Sequence, residues 1–116
     1  MVVCQIDMRF GSAETEHAVQ VLHSVVERIR VKNGCEDCTV SRDSTDPDRI
    51  RYDEIWKSES AFGAHVRSPE FRFVLAAMDM CSEKPRVVCG GVSGPSGFDH
   101  LRDLHGNFEV VLEPEA

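Results

Sequence analysis

The sequence YDEIWKSESAFGAHVRSPEFRFVLAAMDM, residues 52–80, decides how the rest of the chain folds. It opens with a strand-like run that contains the chain's only tyrosine and only tryptophan, Tyr52 and Trp56. Ser58 follows at a natural N-cap position, so we expect a short helix that carries His65. A strand that ends in tryptophan, followed nine residues later by a histidine on a helix, can aim both rings into one cavity.

The chain on either side alternates between strand and helix periodicity. Asn33-Gly34 is a helix stop, and the cluster of aspartates from Asp43 to Asp48 is a turn between two strands. The pattern predicts, in chain order, a strand over 2–10, a helix over 13–32, strands over 35–42 and 49–57, a helix broken at 67–69 whose longer half covers 69–81, a strand over 86–92 and a C-terminal strand over 108–113. Ser12 is the predicted N-cap of the first helix, and residues 98–105 suit a helical turn.

The spacing E-x-W-K-S-x-x-A-x-x-x-H-x-x-S-x-x-F resembles a motif of the antibiotic biosynthesis monooxygenase-like family. The residues that carry it are Glu54, Trp56, Lys57, Ser58, Ala61, His65, Ser68 and Phe71, with Asn33-Gly34-Cys35 before a strand as a second point of likeness. The resemblance covers roughly residues 2–93 and implies a ferredoxin-like α+β fold with an antiparallel βαββαβ sheet. It also implies pairing of two chains into a dimeric α+β barrel. We expect one domain over residues 1–116, with residues 94–116 as a C-terminal extension that adds a strand.

The composition excludes several classes of binding partner and favours one cellular location. A net charge of −7 argues against a nucleic-acid backbone or an anionic membrane as the main partner. No apolar run approaches the span of a bilayer, and the first ten residues lack the features of a signal peptide. Five cysteines cannot all pair within the chain, so free thiols in a reducing compartment are the simpler interpretation. These observations favour a cytoplasmic location.

Trp56 and His65 are the candidate catalytic residues. A neutral histidine can accept a proton from a phenolic or enolic substrate near pH 7, and an indole offers a flat apolar wall for an aromatic ring. The alternative is that Trp56 belongs to the core and His65 is a helix histidine with satisfied hydrogen bonds. Glu54 shares the strand face of Trp56, where we expect it to hold neighbouring groups in place.

The substrate-binding candidates are Asp7, Tyr52, Glu54, Phe62 and Leu75. Leu75 stands where haem-degrading relatives place an iron-binding histidine, so the resemblance does not imply haem here. Tyr52 and Phe62 stand where polyketide-oxidising relatives place an amide and a tyrosine. Asp7 faces the cavity only if the strand register allows it, because a shift of one residue reverses every side chain.

No metal site or cofactor is expected. Cys35 and Cys38 have a C-x-x-C spacing, but in a strand positions i and i+3 point to opposite faces, unlike the turns that bind zinc. Neither a flavin motif nor a phosphate loop is present in the sequence. An oxygenase of this kind must therefore take its electrons from the substrate.

The resemblance implies a cofactor-independent monooxygenase that acts on a phenolic or quinol-like aromatic molecule with dioxygen. Two alternatives stay open: an isomerase or other enolising enzyme on the same cavity, and a non-catalytic dimeric module that binds a small molecule. We expect a homodimer, because helices are available for only one face of the predicted sheet. Residues 108–113 are expected to lie at or across its interface.

Overall fold

The computed structural model describes residues 1–91 and the backbone of residues 109–113. Its elements in chain order are β1 (Val2–Arg9), α1 (Thr15–Arg30), β2 (Cys35–Arg42), β3 (Arg49–Trp56), α2 (Glu59–Val66), α3 (Pro69–Asp79), β4 (Arg86–Gly90) and β5 (Glu109–Glu113). The predicted ferredoxin-like α+β fold is confirmed. The helical turn predicted for 98–105 and the first residue of the predicted last strand, Phe108, lie outside the described residues.

The strands form one sheet in the order β2-β3-β1-β4-β5. β1 is antiparallel to both of its neighbours, β3 and β4, and β2 is antiparallel to β3. β5 joins β4 of the same chain as a parallel edge strand. None of the helices in the described part of the chain has the length and apolar character that crossing a bilayer requires.

One face of the sheet packs under the helices. The buried side chains of β1 alternate from Val2 to Met8, and those of β3 alternate from Ile50 to Trp56, as period-two strands require. α1 buries the predicted stripe of Ala18, Leu22, Val25, Val26 and Ile29, which confirms its helical period. The opposite face, here called the open face, carries Val3, Gln5, Asp7, Arg51, Asp53, Ile55, Arg86 and Val88.

The helix ends match their sequence signals in part. The Ser58 side chain caps α2 by accepting a hydrogen bond from the backbone N–H of Ala61 at 3.1 Å. The predicted cap at Ser12 is wrong: α1 begins later, with Glu14 at the cap position and no side-chain cap bond. Thr15 anchors that turn, because its hydroxyl donates to Asp48 Oδ1 at 2.7 Å.

The loop between α1 and β2 is held close to α2 by a glycine. Gly34 has a φ of +90°, a conformation that other residues rarely adopt. A Cβ at this position would lie 2.6 Å from the Cβ of Ala61, so only glycine lets the two backbones approach. The backbone N–H of Lys57 donates to the Gly34 carbonyl at 2.8 Å. These contacts bring the loop, the end of β3 and α2 together.

Candidate functional site

A fully buried carboxylate lies at the centre of the candidate site. Glu54 is 0% exposed and accepts hydrogen bonds from three side chains. The Trp56 indole N–H donates to Oε1 at 2.8 Å, and the Tyr52 hydroxyl and the His65 imidazole both contact Oε2, the imidazole through Nε2 at 2.8 Å. Burial of a carboxylate in an apolar core is costly unless such partners compensate for the lost water. The three donors therefore suit the ionised form of Glu54.

Lys32, in the loop after α1, fixes the protonation pattern of His65. Its Nζ lies 3.0 Å from Nδ1 of His65. Because an ammonium group can only donate, Nδ1 must accept, and Nε2 must carry the hydrogen that points to Glu54. The geometry thus assigns a neutral imidazole held between a cation and a carboxylate. We call Lys32, Tyr52, Glu54, Trp56 and His65 the Glu54 cluster.

The rings of the cluster pack on one another. Trp56 and His65 are stacked with centroids 4.6 Å apart, and Phe71 meets His65 edge-on at 5.3 Å. One face of the indole is therefore covered by the imidazole. Burial is the main cause that raises the pKa of Tyr52 well above its usual value, with the nearby charge of Glu54 as the next cause. Burial likewise raises the pKa of Cys38, whose thiol contacts the Tyr52 hydroxyl, to about 12.

A surface hollow of about 560 Å³ opens above the cluster. Its lining residues come from the loop after α1, the end of β3 and α2: Lys32, Asn33, Gly34, Trp56, Lys57, Ser58, Ser60, Ala61, Ala64 and His65. The volume is in the usual range for a small-molecule site. Trp56 and His65 contribute to its floor although both are almost completely buried. On its Nδ1 side the imidazole contacts Lys32, which also lines the hollow.

The structure brings together some of the predicted site residues. Trp56 and His65 are in contact and line the hollow, and Glu54 and Tyr52 lie directly behind them. Phe62 is fully buried in the core, and Leu75 is partly buried on α3. Neither of these two residues is among those that line the hollow, and their role in substrate binding stays a prediction.

Asp7 is separated from the cluster by the sheet itself. It pairs with Arg51 in the β1–β3 register and projects from the open face, where its carboxylate contacts Arg49 Nη1 at 2.9 Å. Its neighbour Ile6, in contrast, lies on the buried face opposite Tyr52. The expectation that Asp7 shares a cavity with Trp56 is therefore wrong, because alternate residues of a strand point to opposite faces.

Three residues of the site were not predicted from the sequence. Lys32 also donates to Ser68 Oγ at 2.7 Å and pairs with Glu70 Oε1 at 3.1 Å. Ser68 in turn donates to the carbonyl of His65 at 2.6 Å. Ser68 belongs to the sequence motif that carries the family resemblance, but the motif does not indicate its contact with Lys32, because Ser68 lies between α2 and α3. Nothing in the local sequence points from Lys32 to a histidine 33 residues away.

The two cysteines of β2, Cys35 and Cys38, do not point to opposite faces of the sheet as predicted. An irregularity between Cys35 and Asp37 adds one residue to the strand, so that Cys35 pairs with Trp56 and Cys38 with Glu54. Both cysteines therefore align with residues of the buried face rather than with opposite faces. Within the described part of the chain, no group of three or more His, Cys, Asp or Glu side chains is placed to hold a metal ion.

Comparison with known proteins agrees with this architecture. The profile of the family described as "Antibiotic biosynthesis monooxygenase" matches residues 1–76. No curated protein matches the chain.

Among solved structures, the antibiotic biosynthesis monooxygenase-type protein from Nitrosomonas europaea is similar, with a TM-score of 0.72, 18% identity, and 81% of this chain and 100% of that chain covered. The corresponding protein from Deinococcus radiodurans gives a TM-score of 0.71 at 19% identity, with 81% and 94% covered. A conserved protein from Methanosarcina mazei gives 0.71 at 17% identity, with 76% and 88% covered. At these identities the structural likeness establishes the fold alone.

Proposed function

Because this chain belongs to the antibiotic biosynthesis monooxygenase family, we propose that it is a cofactor-independent monooxygenase of a phenolic or quinol-like aromatic molecule. The observation that carries the proposal is the polarised imidazole of His65. Its Nε2–H points to the buried carboxylate of Glu54, and its Nδ1 contacts Lys32, which lines the hollow. A base in this arrangement is held in one tautomer, and the carboxylate stabilises the imidazolium that forms when it takes a proton.

The reaction begins with removal of the hydroxyl proton of the substrate by Nδ1 of His65. The hydrogen bond between Lys32 and Nδ1 must open for this step, while the bond of Lys32 to Ser68 keeps its charge close to the oxyanion that results. The electron-rich anion reduces dioxygen directly. Conversion of a phenol to a quinone uses one dioxygen, places one of its atoms on the ring and releases the other as water. The substrate supplies the electrons, so the chain is not required to hold a redox cofactor.

Oxygen uptake tests this proposal. We would measure it with a panel of naphthols and hydroquinones, subtract the spontaneous rate, and repeat the assay after treatment with a metal chelator. His65→Asn should reduce the enzymatic rate about a hundredfold, the usual effect of losing a general base. His23→Asn is the matched control, because His23 is an exposed residue of α1. Denaturant unfolding of both variants would show that the loss is not a loss of folded protein, since His65 is buried.

The other outcomes separate the alternatives. Substrate conversion without oxygen uptake would indicate an isomerase or enolising enzyme, and binding without conversion would indicate a non-catalytic module. An unchanged rate in folded His65→Asn would remove His65 from the mechanism.

We also propose that the enzyme is a homodimer formed through the open face of the sheet. In the described residues the helices cover only the other face. The open face has an apolar centre of Val3, Ile55 and Val88, flanked by arginine and aspartate side chains that a two-fold axis could pair with one another. β5 lies at the edge next to β4, so the tail could take part in the contact. A monomer mass in light scattering at micromolar concentration would contradict the dimer, and a dimer unchanged by deletion of residues 106–116 would contradict the role of the tail.

A further inference from the structure

Lys32 is a cation that its neighbours hold in one place at the edge of the hollow. Its three ammonium hydrogens have three partners: His65 Nδ1 at 3.0 Å, Ser68 Oγ at 2.7 Å and Glu70 Oε1 at 3.1 Å. The side chain is only 20% exposed. A lysine on a flexible stem loses side-chain entropy when it is ordered in this way. Because its three contacts already meet that cost, an anion that replaces one of them would not have to order Lys32.

Of the described residues, both charged side chains that line the hollow are lysines, although the chain as a whole is acidic, and one of them, Lys32, is paired with Glu70. Among its lining residues in the described part of the chain, Lys32 and Lys57 are the charged groups, and none is a carboxylate. The chain as a whole has a net charge of −7. A concave site lined by one sign of charge attracts ligands of the opposite sign. This composition favours a ligand that carries at least one negative charge.

Glu70 already supplies a carboxylate to Lys32. It belongs to the first turn of α3, its side chain is 27% exposed, and its hydrogen bond with Lys32 is the main cause that lowers the pKa of its carboxyl group. Ion pairs with this much exposure contribute little to stability, because water and rotation of the side chain compete with them. The contact of Glu70 is therefore easier for an incoming anion to replace than that of His65, whose side chain is fully buried.

We propose that the hollow binds a small aromatic acid whose carboxylate replaces that of Glu70 on Lys32; Glu70 contacts Lys32 but is not one of the residues that line the hollow. This inference rests on the proposed function and names its substrate class. The aromatic ring would lie toward Trp56 and the methyl groups of Ala61 and Ala64. A hydroxyl group on that ring would then be close to His65, the base of the proposed reaction. The carboxylate, rather than the reacting hydroxyl, would provide most of the charge recognition.

Binding of 4-hydroxybenzoate and of its neutral analogue 4-hydroxybenzamide tests this inference. The indole N–H of Trp56 gives a single resonance in a spectrum of the ¹⁵N-labelled protein, because the chain has one tryptophan. That hydrogen is bonded to Glu54 beneath the hollow, so its shift reports occupancy. We expect the acid to bind at least about tenfold more tightly than the amide, which corresponds to one charge-assisted hydrogen bond.

Two substitutions should move the affinity for the acid in opposite directions. Lys32→Met should weaken it about tenfold or more, and Glu70→Gln should tighten it up to about fivefold by removing the competing carboxylate. Lys84→Met is the matched control, because Lys84 is exposed and does not line the hollow, and it should change nothing. If Lys32→Met does not fold, Glu70→Gln still provides the test, since it leaves the Lys32–His65 contact in place.

Equal affinities for the acid and the amide, no shift of the indole resonance with the acid, or weaker binding of the acid by Glu70→Gln would each overturn the inference. Oxygen uptake is measured separately, so the two proposals can fail independently. Selective binding of the acid with no oxygen uptake would support the inference and contradict the oxygenase. Oxygen uptake with neutral phenols and no preference for acids would support the oxygenase and contradict the inference.

Discussion

Asp53 and Glu54 are consecutive carboxylates on β3, but they lie in opposite surroundings. Asp53 points to the open face, where it is 28% exposed and contacts Arg51 Nε at 3.2 Å. Glu54 points under the helices, is fully buried and accepts hydrogen bonds from Tyr52, Trp56 and His65. The first is a surface ion pair that water can replace, whereas the second has only protein partners. The difference shows that burial, and not charge or sequence position, decides which carboxylate the structure depends on.

The largest expected effect comes from replacing each carboxylate by its amide. Glu54→Gln should reduce the free energy of unfolding by about 3 kcal/mol, because an amide cannot accept all three buried hydrogen bonds and places its own N–H groups against donors. Asp53→Asn, the matched control one residue away, should change the free energy of unfolding of the single chain by less than about 0.5 kcal/mol, so both variants are compared at a protein concentration that keeps the chain monomeric. Urea unfolding of the two variants provides the measurement. Equal losses would mean that the two faces do not differ as described.

A smaller loss is expected when a single donor to Glu54 is removed. Tyr52→Phe keeps the ring in the core but deletes the hydroxyl that Glu54 Oε2 and the Cys38 thiol share. We expect a loss of about 1.5 kcal/mol, typical of a hydrogen bond to a charged group. Glu54 keeps the indole and imidazole donors, so the loss should stay below that of Glu54→Gln. An unfolding midpoint equal to that of the unaltered chain would show that the hydroxyl contributes nothing.

Two ionisable groups on the buried face, Tyr52 and Cys38, should make the protein less stable at alkaline pH. Burial raises the pKa of Tyr52 above 10.0 and that of Cys38 from 9.0 to about 12. Both groups therefore stay neutral in the folded chain at a pH where the unfolded chain has begun to ionise them. Their contribution to stability is complete below pH 9.0 and is lost as the pH rises toward 12. The urea midpoint should be lower at about pH 10.5 than at about pH 8, and Cys38→Ala should make this difference smaller.

The smallest effect is expected on the surface. Arg49 contacts Asp7 at 2.9 Å and Glu83 at 3.4 Å, and its side chain is 37% exposed. Arg49→Met should lower the free energy of unfolding by only about 0.5 kcal/mol, and added salt should reduce even that difference. Chemical denaturation at low and high ionic strength provides the comparison. A loss as large as that of Tyr52→Phe would mean that the surface ion pairs contribute as much to the free energy of unfolding as a hydrogen bond of the buried cluster.

The sequence predicts the fold well because each element has a regular period. The buried stripe of α1 and the alternation in β1 and β3 follow from spacings of 3.6 and 2 residues. The proximity of Trp56 and His65 was predicted for a similar reason, since a short turn joins their strand and helix. Asp7 was misplaced although the same alternation puts it opposite the buried Ile6.

The partners of Lys32 could not be predicted from local pattern. At the end of a helix a lysine fits the helix dipole, and nothing nearby in sequence indicates a role in a site. Its contacts with His65, Ser68 and Glu70 form only when α2 and α3 pack against the end of α1. The extra residue between Cys35 and Asp37 was not predicted for the same reason: the irregularity exists only in the pairing of β2 with β3.

The position of β1 in the middle of the sheet affects how the chain folds as it is made. β1 is synthesised first, yet one of its two neighbours in the sheet is β4, in which residue 89 lies opposite residue 4 in the strand register. At translation rates of about 5–20 residues per second, β1 waits roughly 4–17 s for that partner. During this interval β1 and β3 can pair, but the edge of β1 that β4 will cover stays open to other chains. Ribosome-associated chaperones are the factors suited to shield such an edge, and chains stopped before residue 86 should aggregate more readily than complete ones.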